Sequence, residues 1–323
     1  MSLKQAISFI KDSKNFLITS HTNLEGDALG SELAFYRLIK SLGKQATAVN
    51  EDDPPLIYKF LPGIDRIRKF KENMMAGKFD CFVLLDCADL KRCGKVSTLS
   101  RSNKPILNID HHISNEKFGK VNWVEPGYSS CCEMIYKLYK ELRVPLDKDT
   151  ALLLYVGMLT DTGSFRYSNT TPITHKIVAE LLSFNLDVAE IYKKVYQNLA
   201  FQDLQLLTAI LPTMRQLCKG ELVWFEINKD LLKNRTISFD LTEQILTLAR
   251  TINNVEVIVL FKEALGKKKE IRVNFRSQGK VDVNKVARFF GGGGHKTASG
   301  ATVKGSLEEV RRRVLAKIKQ SLK

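Results

Sequence analysis

Lys104-Pro105-Ile106-Leu107-Asn108-Ile109-Asp110-His111-His112 reads as a short apolar strand that stops on a carboxylate and two imidazoles. Aliphatic and β-branched residues following a proline favour a strand. Packing does not explain the polar end, because imidazole and carboxylate groups are costly to bury without partners. The pattern recurs along the chain. Phe16-Leu17-Ile18-Thr19 leads to His21 and Asp27, Cys81-Phe82-Val83-Leu84-Leu85 ends on Asp86, and the apolar stretch 152–159 leads to Asp161. Apolar segments that each end in a metal-ligand type residue predict an open α/β sheet, in which such ends converge on one ligand crevice.

Outward from these strands, the chain alternates between helical and extended patterns. Residues 3–14 read as an amphipathic helix with Ala6, Ile7 and Ile10 on one side. A helix follows the loop from His21 to Ser31 and continues to about Leu42, with Gly26 and Gly30 read as turn or ligand-approach glycines. Residues 45–50 and 120–124 read as further strands, Ser129 or Ser130 as the cap of a helix to about Leu142, and 149–159 as a buried helix. This order predicts an α/β fold: an N-terminal doubly wound, mainly parallel sheet. From Pro172 to Leu211 the pattern is helical throughout, with Ile177, Leu181, Leu182, Ile191, Val195 and Leu199 at helical spacing. Beyond Pro212 come strands at 222–227, 255–261 and 271–275, a helix at 242–251, a glycine run and a basic helix from Leu307. The expected organisation is a catalytic metal-binding domain over 1–190, a helical connector over 191–213 and a smaller α/β domain over 214–323, with the active site in the cleft between the two domains.

The totals narrow the classes. At 323 residues two domains are expected. With 44% hydrophobic and 26% charged residues the chain has a globular composition, and no apolar run approaches a membrane span. No signal-peptide pattern follows Met1, so a cytoplasmic protein without a membrane partner is expected. Cys87 and Cys93, and the adjacent Cys131 and Cys132, lack zinc-site spacing and read as buried or free thiols. A net charge of +15 favours polyanionic partners such as nucleotides or nucleic acid. Each basic cluster by itself, Lys267-Lys268-Lys269, Arg311-Arg312-Arg313 and the closing lysines, also reads as a solvated face.

His21, Glu25 and Asp27 form an H-x-x-x-E-x-D cluster in which each carboxylate can face a separate cation. Imidazole ligation favours a transition metal over Mg²⁺: Mn²⁺ is the first choice, with Zn²⁺ and Fe²⁺ left open. Asp86 would sit between two ions, and His111 and Asp161 would complete the second site. Two such ions suit displacement at phosphorus. His112 would contact a phosphate oxygen or act as general acid, with Asp110 as its catalytic neighbour. Gly291-Gly292-Gly293-Gly294-His295, followed by Ala298, Ser299 and Gly300, fits a backbone cradle for phosphate better than a linker. Arg276 would add a bidentate grip.

Taken in order, these motifs resemble the DHH phosphoesterase superfamily, in the branch carrying a C-terminal DHHA1 domain. The resemblance rests on His21, Asp27, Ala28, Gly30 and Ser31; on Leu85-Asp86; on Ile109 to His112; on Asp161 to Tyr167; and on Gly291 to Gly300. Length and the short interdomain segment are similar to the nanoRNase/pAp phosphatase group. The resemblance implies a metal-dependent hydrolase of short RNA oligonucleotides (an exonuclease activity) and of the 3′-phosphate of adenosine 3′,5′-bisphosphate. It implies two Mn²⁺ ions, one on His21, Glu25 and Asp86, the other on Asp27, Asp86, His111 and Asp161. It further implies a substrate grip by Arg276, Gly292, Gly293, Gly294 and His295, and it admits a homodimer. The alternatives are a phosphodiesterase for pApA or cyclic di-AMP, and a non-catalytic nucleotide-binding regulator. Where the family usually has Pro-Asp, this chain has Leu24-Glu25. Glutamate keeps an oxygen ligand, one methylene longer, and losing the proline is expected to loosen the loop.

Overall fold

The computed structural model describes residues 2–71, 79–198, 200–231, 241–263 and 269–322. Leu199, Lys267, Lys268 and Lys323, singled out above, lie outside the described residues. The chain divides into two compact units, Met1–Asn198 and Leu199–Lys323.

The first unit runs α1 (Leu3–Asp12), β1 (Asn15–Thr19), α2 (Gly26–Ser41), β2 (Gln45–Asn50), β3 (Ile67–Lys69), β4 (Cys81–Leu85), β5 (Ile106–Asp110), β6 (Val121–Val124), α3 (Cys131–Leu142), α4 (Lys148–Asp161), α5 (Pro172–Leu182) and α6 (Val188–Tyr196). Its strands form one parallel sheet in the order β3-β2-β1-β4-β5-β6. A parallel sheet covered on both faces needs continuous apolar strands. β4 supplies one, Cys-Phe-Val-Leu-Leu, with every residue buried. Phe16 and Ile18 face the core shared with α2, α3 and α4, while Leu17, Phe82 and Leu84 face the smaller core with Cys87, Cys93 and Val96. Burying each large aliphatic or aromatic side chain contributes about 1.5–3 kcal/mol. Ile109, fully buried one residue before the polar end of β5, is the single position whose truncation to Ala would loosen this end most directly, at about 2–5 kcal/mol.

Local chemistry sets the helix starts. Ser130 accepts the N–H of Glu133 at α3, Asp147 accepts that of Thr150 at α4, and Thr171 with Pro172 opens α5. The stretch 152–159 is therefore helical, as expected, and Asp161 is the last residue of a helix rather than the end of a strand. The sequence from Pro172 to Leu211 is not one continuous helical run: the chain breaks after α5 and again after α6. Ile191 and Val195 of α6 pack into the core of the first unit.

The second unit runs α7 (Phe201–Ile210), β7 (Arg215–Leu217), β8 (Leu222–Ile227), α8 (Leu241–Ala249), β9 (Val257–Glu263), β10 (Glu270–Ser277), α9 (Val283–Phe289), β11 (Gly293–Gly294), β12 (Ala298–Lys304) and α10 (Leu307–Leu322). Its mixed sheet has the order β11-β12-β10-β9-β8-β7, with β8 and β9 parallel and the remaining pairs antiparallel. Leu206 and Ile210 of α7 pack beneath Val223, Phe225 and Leu260. Residues 191–213, read above as a connector, thus divide their apolar side chains between the cores of the two units.

Candidate active site

The strand order of the first sheet reverses direction between β1 and β4, and the carboxyl ends beside such a switch point form the ligand crevice of an open α/β sheet. His21 follows β1 and Asp86 follows β4. Asp86 adopts a left-handed backbone, φ 54°, which turns its carboxylate out of the strand line. His111 and His112 follow β5, Asp27 lies in the first turn of α2, and Asp161 closes α4. The close approach of α3 and α4 depends on Gly157. A Cβ there would lie 2.2 Å from Cys132 Sγ and 2.8 Å from Asp27 Oδ1. Gly26 and Gly30 lie inside α2, where they clear Thr160 and the Leu153 carbonyl, so they serve helix packing rather than a turn.

The distances define two ligand groups that share Asp86. His21 Nε2 lies 3.3 Å from Asp86 Oδ2 and 3.7 Å from Glu25 Oε1. His111 Nε2 lies 3.5 Å from Asp86 Oδ1, 3.6 Å from Asp161 Oδ2 and 3.8 Å from Asp27 Oδ2. His21–Glu25–Asp86 and Asp27–Asp86–His111 each present ligand atoms within 4.8 Å of one another, and so do Asp86–Asp110–His112. No cysteine belongs to these groups, and the cysteines are free thiols.

Whether these groups fit a cation can be judged from the imidazoles. His21 Nδ1 is 2.6 Å from the Thr22 carbonyl and His111 Nδ1 is 3.4 Å from that of Tyr128. A carbonyl only accepts, so both Nδ1 atoms carry the proton and both Nε2 lone pairs point at carboxylates, as second-sphere bonds orient metal-ligating histidines. Among the described residues, His21 Nε2 and Asp86 Oδ1 have no hydrogen-bond partner although both are buried. Lone pairs facing carboxylates call for positive charge between them. Protons supply it otherwise: burial works against a charge on His21, but Asp86 and Glu25 overcome it and push the imidazole up to about 10. Burial, then the neighbouring Asp86, lifts Asp27 to about 7 despite His111 and the backbone donors. Burial likewise raises Asp161, whereas His111 and His21 outweigh burial at Asp86 and hold it well below the usual range. The donor set fits divalent metal ions.

Asp27 is fixed from behind. The N–H groups of Cys131 and Cys132, at the start of α3, donate to its two oxygens at 2.6 and 2.8 Å. Glu25 differs from the other acids in being about half exposed, at 49% of its side chain. As the N-cap of α2 it makes no capping bond, which leaves its carboxylate for other use. Leu24, expected to loosen this loop, is instead 1% exposed and anchored in the core, so apolar burial replaces the stiffness of a proline.

Asp110 is fully buried. It accepts from His112 Nδ1 at 2.6 Å and from Asn115 Nδ2 at 2.6 Å. Burial would raise its carboxyl, but the His112 contact holds it at about 2. Asp110 therefore fixes the His112 ring, with Nε2 turned towards Arg92. Sequence reasoning missed Asn115, and also Asn169, whose Nδ2 donates to the backbone oxygens of Ser129 and Asp161. It missed Arg92, whose NH1 lies 3.3 Å from His112 Nε2. For Arg92 a signal existed: Asp89, three residues earlier, reads as the cap of a turn that leads back towards the strand end.

In the second unit, Arg276 lies near the end of β10. Its guanidinium donates to the Phe275 carbonyl and is held by the carboxylate of Glu243 on α8. The glycine run forms a tight hairpin. Gly293 and Gly294 pair with Gly300 and Ser299, and a Cβ on Gly292 would lie 2.1 Å from the Gly300 carbonyl. The N–H groups of Gly292 and His295 are committed to the carbonyls of Ala287 and Ala298. The open face of the hairpin is at Gly293, where a Cβ would meet nothing within 4 Å.

Sequence comparison places these features among known proteins. The profile described as "DHH family, N-terminal domain" matches residues 15–158, and that of the DHHA1 domain matches residues 235–323. The "Bifunctional oligoribonuclease and PAP phosphatase NrnA" of Thermus thermophilus is 32% identical over 94% of this chain and 89% of its own length. The Bacillus subtilis protein of the same name is 29% identical, over 89% and 88%. Among solved structures, an exopolyphosphatase-related protein from Bacteroides fragilis superimposes with a TM-score of 0.87 at 28% identity, covering 98% of this chain and 96% of that one.

Proposed function

Because the chain belongs to the DHH family, in the branch with a DHHA1 domain, and is thus a phosphoesterase, we propose that it hydrolyses short RNA oligonucleotides and the 3′-phosphate of adenosine 3′,5′-bisphosphate. The observation that carries this reading is the Asp86 carboxylate shared between two ligand groups, with the Nε2 lone pairs of His21 and His111 aimed at it. His21, Glu25 and Asp86 would hold one divalent ion, and Asp27, Asp86, His111 and Asp161 the second; Mn²⁺ suits the mixed imidazole and carboxylate set. Bound there, such ions supply Lewis acidity and a nucleophile at neutral pH.

The remaining work falls to the chain's own residues. In hydrolysis a water oxygen bonds to phosphorus, the ester P–O bond breaks, and the leaving oxygen gains a proton. His112 is the residue to relay the proton that the water gives up: with Nδ1 tied to Asp110, its Nε2 lone pair, which accepts from Arg92, can take that proton and pass it to the leaving oxygen. Arg276, His295 and the Gly292–Gly294 hairpin would bind the nucleotide. The names of the two relatives and the chain's net charge of +15 support short anionic nucleotides as substrates. Among the described residues no helix is long and apolar enough to cross a membrane, and a cytoplasmic site of action is part of this proposal.

The test is turnover of adenosine 3′,5′-bisphosphate and of RNA dimers to pentamers, with Mn²⁺ and with chelator. Hydrolysis of both that stops on chelation is the expected result. With cyclic di-AMP assayed in parallel, hydrolysis of that substrate alone, or of pApA alone among the dimers, would replace the substrate assignment, and no hydrolysis of any substrate would refute it.

A further inference from the structure

Arg92 has no part in the reaction described so far, yet several anchors aim it at the metal-ligand cluster. The chain leaves β4 through Asp86-Cys87-Ala88-Asp89, and Asp89 Oδ1 accepts the N–H groups of Lys91 and Arg92 at 2.9 and 3.1 Å. This Asx turn reverses the chain. The Arg92 carbonyl then accepts the N–H of Thr22 at 2.7 Å, which ties it to the residue after His21. Cys93, buried next to it, seats the turn in the core with Cys87 and Val96. The half-buried guanidinium is thereby held between the His21 loop and His112, with NH1 3.3 Å from His112 Nε2.

What this guanidinium does not do is informative. An arginine kept among acids for stability pairs with a carboxylate, commonly through two parallel bonds. Arg92 has Asp86, Glu25 and Asp110 in its neighbourhood, but it makes no ion pair within 4.0 Å among the described residues. Among the described residues its side chain makes one hydrogen bond, to an imidazole nitrogen. A guanidinium has five N–H donors in a planar fork, so one bond to His112 leaves most of that capacity unspent.

We infer that Arg92 binds the non-bridging oxygens of the phosphate under attack and is a catalytic residue of phosphoester hydrolysis; this rests on the reading of the site as a phosphoesterase centre. The fork complements a tetrahedral oxyanion, and a fixed cation at developing charge acts without reorganising. His112 then reaches the same phosphate, so one bond fixes the spacing of both groups before substrate arrives.

The experiment compares the full-length protein with Arg92→Ala and Arg92→Gln. Substrates are an RNA dinucleotide and bis(p-nitrophenyl) phosphate, alongside calorimetric titrations with Mn²⁺ and, on the Mn²⁺-loaded protein, with inorganic phosphate. Expected are a fall in kcat of roughly 100-fold or more on both substrates, weaker phosphate binding, an unchanged Mn²⁺ titration, and partial recovery of Arg92→Ala by added guanidinium. Near wild-type rates in either variant would overturn the inference, as would a loss that follows Mn²⁺ affinity and ignores guanidinium. If one variant melts early, the other supplies the comparison. If wild-type protein hydrolyses neither substrate, the functional reading fails by itself, and the phosphate titration still decides whether Arg92 binds the anion.

Discussion

The two candidate ligand regions are built on opposite principles. In the first unit the groups are buried, tied from behind and short of positive charge: Asp27 by two backbone N–H groups, His21 and His111 by carbonyls, His112 by Asp110. In the second unit the glycine hairpin spends backbone donors on its own closure, and Arg276 is already neutralised by Glu243. On the proposed reading, a cation would complete the first region, and the second would exchange an internal partner for a ligand. Pre-organisation of the first kind belongs where charge develops, and exchange of the second kind suits binding and release.

The sharpest way to break this contrast is to remove the shared carboxylate. Asp86→Ala should abolish Mn²⁺ binding and turnover together. Losing one member of a buried charged set costs about 3–5 kcal/mol, which is 10²-fold to more than 10³-fold in rate or affinity. A variant that keeps normal turnover with one Mn²⁺ fewer by calorimetry would show that the two ligand groups act independently. His111→Ala should come close to the same loss.

The first region was largely legible in the sequence because burial and charge conflict there. A carboxylate or imidazole ending an apolar strand has no packing reason to exist, so β1, β4 and β5 announced His21, Asp86 and His111. Asn115 and Asn169 were not legible, because a single polar residue in a loop carries no such conflict; Asp89 signals the turn that carries Arg92, but only the fold brings Asn115 to Asp110 and that turn back to Thr22. Leu24 was misread because sequence reports the loss of proline stiffness but not that the replacement side chain enters the core. In the second unit the glycines signalled closeness without saying to what. At Gly292 the near neighbour is the Gly300 carbonyl rather than a phosphate. The helical run across 172–211 concealed the unit boundary because helical spacing persists on both sides of it, while the partner cores differ.

The second region's exchange can be tested through Arg276 and Glu243. Arg276→Ala should raise KM for nucleotide substrates, by about 2 kcal/mol or some 30-fold at the low end for a charged contact. It should leave hydrolysis of bis(p-nitrophenyl) phosphate nearly unchanged. Glu243→Gln, which frees the guanidinium, should lower KM a few-fold. Equal losses on both substrates in Arg276→Ala would place Arg276 with the chemistry and erase the distinction between the regions.

A smaller effect concerns the support behind the first region. Glu32 is fully buried on α2, accepts from Asn50 Nδ2 at 2.7 Å, and is pushed by burial up to about 8, with Asn50 opposing. Asn50 Oδ1 in turn accepts from Thr19 and from the N–H of Ser20, next to His21. A carboxyl raised in the folded state binds a proton that the unfolded chain has released. Its contribution is present below the ordinary carboxylate value near 4.5 and is lost as pH rises towards 8. In chelator, wild-type protein should therefore lose on the order of a few kcal/mol of stability between about pH 5 and 8. Glu32→Gln should lose less over the same window. Parallel melting curves for the two proteins would show that Glu32 is ionised throughout.

The smallest expected effect, and the finest probe of pre-organisation, is at Glu25. If the region is fixed from behind, its most exposed member should also have a side chain cut to fit. Both neighbours of Glu25 are immobilised: Leu24 lies in the core, and a Cβ at Gly26 would already meet Thr160 at 2.5 Å, so the backbone there has little room to shift. From that backbone the carboxylate stops 3.7 Å from His21 Nε2, a spacing that a shared ion would bridge. Removing one methylene withdraws the carboxylate by about one C–C bond, whereas metal–oxygen distances tolerate only ~0.2 Å. Glu25→Asp, although it restores the residue usual in the family, should weaken Mn²⁺ binding by about tenfold, in the range seen when support of a metal ligand is disturbed. Turnover at saturating Mn²⁺ should stay near that of the parent. Activity measured against free Mn²⁺ separates the cases. A tighter site in Glu25→Asp would mean that the loop yields, and that the first region, like the second, adjusts to its ligand.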